Sequence, residues 1–144
     1  MMSENKKITG GIKCRQRGEK NEIFDPVRKK WVRLTPEEQV RQYLIYRLIE
    51  EKEISISRIA VERKIEINGM TRRYDLVVFD REGKPQIVIE CKAPHVKITQ
   101  EVVEQAGNYN GYLHAPILGV SNGEEHHFFS LCFNTGKIKK ITFF

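Results

Sequence analysis

Two acids and a lysine stand inside stretches that otherwise read as buried strands. Asp75 lies within Arg73-Tyr74-Asp75-Leu76-Val77-Val78-Phe79, and Glu90 and Lys92 lie within Gln86-Ile87-Val88-Ile89-Glu90-Cys91-Lys92. Burying unpaired charge is costly, so these groups need partners or a metal ion. Side chains alternate along a strand, which puts Glu90 and Lys92 on one face and Cys91 on the other. If the neighbouring strand brings Asp75 to the same edge, the result is an oxygen-lined cation site with an ammonium beside it. Mg2+ takes oxygen ligands and keeps several waters, so Asp75, Glu90 and the backbone carbonyl of Cys91 suffice as protein ligands, with Mn2+ an expected substitute. Such an ion polarises a phosphate oxygen, while Lys92 positions the attacking water or supports the charge that develops. That is the chemistry of phosphodiester hydrolysis. The competing reading of the same three charges is a salt-bridge cluster at a strand end.

The elements that must position these groups are legible around them. Arg81-Glu82-Gly83-Lys84-Pro85 is a turn between two β-branched runs, which predicts a hairpin. Ile54 to Ile67 alternates as a preceding strand, near an edge because of its charges, and joins the hairpin through the tight-turn pair Asn68-Gly69. Thr35-Pro36-Glu37-Glu38 is a helix start, with Thr as N-cap, Pro at the first position and acids in the first turn. That helix runs to about Glu51, with Val40, Tyr43, Leu44, Leu48 and Ile49 as its apolar stripe. A second helix is expected from Thr99 to about Tyr112, on which Gln105 and Tyr109 lie one above the other. Strands follow at 115–120, 126–133 and 137–143. Helix, three-strand meander, helix, strand and terminal hairpin make an α/β domain with a mixed sheet.

With 144 residues the chain holds one domain with a real core. Three widely spaced cysteines, Cys14, Cys91 and Cys132, indicate neither a disulfide framework nor a zinc site, which fits a reducing cytoplasm. No apolar run approaches the roughly 20 residues that span a bilayer, so no membrane partner is expected. The net charge of +6 is uneven: residues 1–33 carry ten Lys/Arg against four Asp/Glu, and the remainder carries fifteen of each. A basic segment of this kind points to a polyanion, most simply nucleic acid. Residues 1–21 are expected to be a loosely ordered arm with one short strand around Ile8–Lys13, and residues 22–34 a small ribbon pairing Ile23/Phe24 with Trp31/Val32/Leu34.

The set Asp75 … Glu90-Cys91-Lys92 resembles the signature of the PD-(D/E)xK nuclease superfamily. A wider run is similar to one branch, the N-terminal nuclease domain of type I restriction enzyme R subunits. That run comprises Phe24-Asp25-Pro26-Val27-Arg28, Leu34-Thr35-Pro36-Glu37-Glu38, Val40-Arg41-Gln42, Arg73-Tyr74-Asp75, Glu90-Cys91-Lys92-Ala93-Pro94, Gln105-Ala106-Gly107-Asn108-Tyr109-Asn110 and Ser121-Asn122-Gly123, in the family's order across roughly residues 22–123. The resemblance implies a restriction-endonuclease-like mixed β-sheet with flanking helices over residues 22–144, and Mg2+-dependent cleavage of DNA. It makes Asp75 and Glu90 the metal ligands, Lys92 the catalytic lysine, Gln105 and Tyr109 a substrate-positioning pair, and Glu37, with Glu38 the alternative, the first-helix acid. Arg41, Arg72, Arg73, Lys97 and the basic arm would hold the DNA backbone. A homodimer or a larger restriction or repair assembly is the expected setting. Tyr74 stands where the signature's proline would be, and the chain has no room for the motor domains of a full R subunit. A non-catalytic DNA-binding or assembly module on the same fold is the alternative function.

Overall fold

Two threonines set where the helices begin. In the computed structural model, which describes residues 11–144, Thr35 Oγ1 accepts the Glu38 N–H at 3.0 Å and starts α1, Pro36–Glu50. Thr99 Oγ1 accepts the Val102 N–H at 3.3 Å and starts α2, Gln100–Leu113. Each hydroxyl satisfies a donor that the first helical turn leaves unpaired.

The strands form two sheets. β1 (Cys14–Arg17), β2 (Lys20–Asp25) and β3 (Lys30–Arg33) make a small antiparallel sheet ahead of α1. The larger sheet contains β4 (Ile59–Ile67), β5 (Met70–Phe79), β6 (Pro85–Cys91), β7 (Ile117–Ser121), β8 (His126–Cys132) and β9 (Lys137–Ile141), in that spatial order. All neighbours are antiparallel except β6 and β7, which run parallel because α2 carries the chain back between them. Asn68 and Gly69 both take positive φ, 51° and 76°, as the tight hairpin between β4 and β5 requires. β4 is an edge strand, as its charges suggested. Among the described residues no helix is long and apolar enough to cross a membrane.

Alternation along the strands divides the core between the two faces of the sheet. On one face Leu76, Val78, Ile87, Ile89 and Cys91 meet Val40, Leu44, Ile45 and Leu48 of α1. On the other, Val77, Val88, Leu118 and Val120 meet Ala106 of α2, flanked by Val102 and Val103.

Within the stretch expected as a loose arm, Cys14–Arg17 forms a strand. The register Cys14↔Ile23 to Arg17↔Lys20 adds this strand to the ribbon formed by β2 and β3. Of the expected strand around Ile8–Lys13, residues 8–10 lie outside the described residues and 11–13 are not strand; the described strand starts at Cys14. Ile23 is fully buried and thereby anchors the small sheet to the molecule.

Candidate active site

The pairing of β5 with β6 stops at Leu76↔Ile89, one residue short of Asp75 and Glu90. Beyond that point Asp75 takes over the role of the ladder: its Oδ2 accepts the Cys91 N–H at 2.8 Å. The strand on its other side is also irregular. β4 and β5 pair at Val61↔Leu76 and Arg63↔Tyr74, with no ladder pair between them, and Glu62 opposite Asp75 sits at φ 51°. A non-glycine residue held there costs about 1–3 kcal/mol, and such strain concentrates at functional sites. Asp75 therefore projects from mid-β5, where the pairing with β6 has ended and the ladder with β4 is interrupted before it resumes at Arg63↔Tyr74.

Glu90 and Lys92 lie beside Asp75 here. Lys92 Nζ lies 3.5 Å from Glu90 Oε1, and the Asp75 carboxylate is near enough for its charge to act on the Glu90 carboxyl. Burial first, and the Asp75 charge second, push Glu90 up to about 7, against the opposing pull of Lys92. The side chains of Asp75, Glu90 and Lys92 are 18%, 30% and 29% exposed, so all three are accessible from solvent while their surroundings are largely protein. A carboxyl that burial and a neighbouring carboxylate keep from ionising is a donor that a hard divalent cation relieves. Among the described residues no group of three or more His, Cys, Asp or Glu side chains is placed to hold a metal ion. The oxygens here fit Mg2+, which accepts two protein carboxylates and fills the rest of its shell with water, better than zinc, which prefers a closed set of nitrogen and sulfur ligands. The Cys91 backbone runs beside the pair, while its thiol points into the α1 side of the core, where burial raises it well above the ordinary thiol range.

Behind the pair lies a polar network that the sequence did not announce. Asp25 is fully buried at the end of β2; its Oδ1 accepts the Val27 and Arg28 N–H groups at 2.7 and 2.9 Å, and Oδ2 takes the Arg28 Nε–H. Arg28 Nη2 then donates to Glu38 Oε1 at 2.8 Å, Arg41 Nη1 donates to the same oxygen at 2.9 Å, and Gln42 Nε2 donates to Glu38 Oε2 at 3.1 Å. Arg41 Nη2 closes the chain on Asp75 Oδ1 at 3.3 Å. The available signals were Asp25-Pro26 and the i, i+3 pair Glu38/Arg41, but nothing in their spacing told that the small sheet would cover them.

The remaining expected site residues fall into three groups. Glu37 is exposed on the first turn of α1, close enough for its charge to be felt at Cys91, whereas Glu38 is buried with both oxygens engaged. Gln105 and Tyr109 share the exposed face of α2 and border a cleft with Arg72. Arg73 and Lys97 are exposed. Arg41, expected at the DNA backbone, is instead 6% exposed and turned inward to Glu38 and Asp75, because a guanidinium beside two buried acids is held by them. Ser121-Asn122-Gly123 proves to be a built turn: Asn122 Oδ1 accepts the Glu124 and Glu125 N–H groups, and Asn122 Nδ2 donates to the Val96 carbonyl. That last bond ties the loop after β6 to the loop after β7.

A mixed sheet with a helix packed on each face, and acids at its strand ends, is a restriction-endonuclease-like architecture. Residues 36–143 match the family model described as Type I restriction enzyme R protein N terminus (HSDR_N), and the chain belongs to that family. Among solved structures, it is similar to the fragment structure of a putative HsdR subunit of a type I restriction enzyme from Vibrio vulnificus YJ016, with a TM-score of 0.53 and 23% sequence identity over 77% of this chain. At that identity the likeness speaks for the fold, and the chain spans 23% of the length of that solved chain. No curated protein matches the sequence.

Proposed function

We propose that residues 22–144 form a PD-(D/E)xK nuclease domain that hydrolyses DNA phosphodiesters with Mg2+, or Mn2+ in its place. The observation that carries this reading is that Glu90 and Lys92, at the solvent-reachable end of β6, lie beside Asp75 of β5, with Glu90 raised to about 7 by burial and by its neighbour. Asp75 and Glu90 would hold the ion, assisted by the Cys91 carbonyl. When bound, it would supply a Lewis acid for the phosphate and an acidified water. The chain's own residues do the rest. The Cys91 N–H and Arg41 fix the Asp75 carboxylate in place. Lys92 places its amine beside Glu90, where it can orient a water or meet charge building on the phosphate. Glu37, exposed at the mouth of α1, is the candidate first-helix acid, and Gln105 and Tyr109 are candidates to position substrate. Arg73 and Lys97 offer exposed cations to the DNA backbone, a contact that carries affinity without sequence readout. The family supports DNA and a restriction assembly as partners, and free cysteines at positions 14, 91 and 132 fit a reducing cytoplasm.

A second reading has its own support. Arg41 on Asp75 and Lys92 on Glu90 already partner both acids, which suits a non-catalytic DNA-binding or assembly module. Supercoiled plasmid incubated with Mg2+ or Mn2+ separates the two. Nicking by wild type, lost in a Lys92→Ala variant of unchanged circular dichroism, supports the nuclease. Retarded DNA mobility with the plasmid intact under both metals supports the module and defeats the hydrolase.

A further inference from the structure

Outside the acid pair, one surface of α2 carries the candidate positioning pair Gln105 and Tyr109 together with further groups that have no assigned role. Gln105, Asn108, Tyr109 and Tyr112 recur at three- and four-residue spacing and so line one side of the helix. The opposite side is spent on the core through Ala106 and on the Ala115 backbone, which Asn110 clamps with two 3.0 Å bonds. Tyr109 and Tyr112 are large aromatic side chains left 45% and 50% exposed. Between them stands Arg72 of β5, its guanidinium carbon 5.2 Å from the Tyr109 ring centre and 5.3 Å from that of Tyr112. These groups border an open cleft of about 750 Å³, within the range of ligand sites. Tyr74, buried beneath, donates its hydroxyl to the Tyr109 carbonyl at 2.9 Å and fixes the helix to the strand.

A cation held between two exposed phenol rings, with two side-chain amides on the same face, suits a flat, π-rich, hydrogen-bonding ligand attached to an anionic backbone. Bases stack on aromatic rings and on guanidinium planes, and amides read base edges that are not already paired. A base inside a duplex presents neither its face nor its pairing edge. Arg72 is three residues from Asp75 along β5, about 10 Å by the rise of a β-strand, but it packs against α2 while Asp75 meets Arg41 of α1, so the cleft is a place separate from the acid pair. We propose that the Arg72–Tyr109–Tyr112 cleft is a stacking subsite for an unpaired nucleobase. The substrate class is then DNA with single-stranded character, an end, a gap or a displaced strand, rather than intact duplex. This rests on the nuclease reading for its partner, and adds the strandedness that reading leaves open.

The test uses the full chain in EDTA at low salt, with fluorescence anisotropy on three labelled probes: a dT12 oligonucleotide, a 12-mer of abasic sites with the same phosphates, and a blunt 12-base-pair duplex. Wild type is expected to bind dT12 about tenfold or more tighter than the abasic strand, the scale of one stacked base. Tyr112→Ala is expected to lose that difference while binding the abasic strand as wild type does. Tyr112→Phe, which keeps the ring, is expected to retain it and serves as the folded control. Equal affinity of wild type for dT12 and abasic strand, with the duplex also bound, overturns the subsite and leaves the nuclease reading standing. No binding of any probe, either in EDTA or with Ca2+ in its place, removes the DNA partner itself, and both proposals fall.

Discussion

Arg41 Nη2 and the Cys91 N–H hold the two oxygens of Asp75 from different elements, at 3.3 and 2.8 Å, so α1 and β6 both converge on one carboxylate. Arg41 is also the last link in the chain Asp25–Arg28–Glu38–Arg41–Asp75, which connects the small sheet to the site. Its Nε is buried without a hydrogen-bond partner, so the guanidinium already bears a desolvation cost that its ion pairs offset.

Removing Arg41 leaves Glu38 and Asp75 as partly uncompensated buried charges. Arg41→Ala is expected to lower stability by about 3 kcal/mol, in the range measured when one partner of a buried pair is deleted. Arg41→Lys should recover little, because an ammonium cannot reproduce two forked contacts. Urea melts of the three proteins check this; a loss of under ~1 kcal/mol for the alanine variant would show that the network is dispensable.

Glu90 makes stability depend on pH in a direction opposite to that of a salt-bridged acid. Its folded value of about 7 stands above the ordinary 4.5, so between those values the folded protein binds more protons than the unfolded chain. Stability from this group is full below pH ~4.5 and falls as pH rises through 7. The loss is at most about 3–4 kcal/mol, less for the solvent that still reaches the carboxyl. Thermal melts at pH 5.5 and 8 should show it, and Glu90→Gln should flatten this part of the profile. A wild-type melting temperature that climbs across the interval in parallel with Glu90→Gln would contradict it.

The sequence spoke clearly wherever the signal was local. Thr35 and Thr99 mark both helix starts to the residue, Asn68-Gly69 marks its hairpin, and alternation places Glu90 opposite to Cys91. Long-range burial of polar groups was not legible. The apolar stripe read on α1 included Tyr43, which is half-buried, and omitted Glu38, Arg41 and Gln42, which are buried, because the small sheet covers a second side of the helix. Periodicity reports one packed face; a helix covered from two sides mixes the signals. Glu62 shows the same limit. It reads as an ordinary exposed strand residue, yet it takes a left-handed backbone opposite Asp75 and reaches Arg28 at 3.3 Å and Arg41 at 3.6 Å.

Gly119 is required by packing rather than by backbone freedom. It pairs across from Phe128, and a β-carbon at position 119 would meet the Phe128 ring at 2.3 Å. That ring is fully buried and stacks on Phe143 at 4.7 Å, so it has no open space to swing into. Gly119→Ala is therefore expected to destabilise by about 1–3 kcal/mol through overpacking. Gly119→Ala combined with Phe128→Leu should recover part of the loss, since the smaller side chain vacates the conflict. Denaturant midpoints of the pair measure the coupling, and simple additivity of the two losses would count against the clash.

A cation at the acid pair must displace the proton that Glu90 holds at neutral pH. Binding therefore competes with protonation, and affinity should rise as pH passes through about 7. Mn2+ in excess is expected to raise the melting temperature of wild type at pH 8 and to raise it much less at pH 6. At a hundredfold excess over the dissociation constant the gain is about 2.7 kcal/mol. Glu90→Gln and Asp75→Asn should each lose the Mn2+ response while remaining folded, because both carboxylates are needed and neither amide carries charge. Addition of EDTA should return wild type to its metal-free melting temperature. The opposing possibility is specific: Arg41 and Lys92 already neutralise these acids, and if they do so too well, Mn2+ will shift no melting temperature at either pH. That result would leave the acids with a structural role and remove the metal from this site.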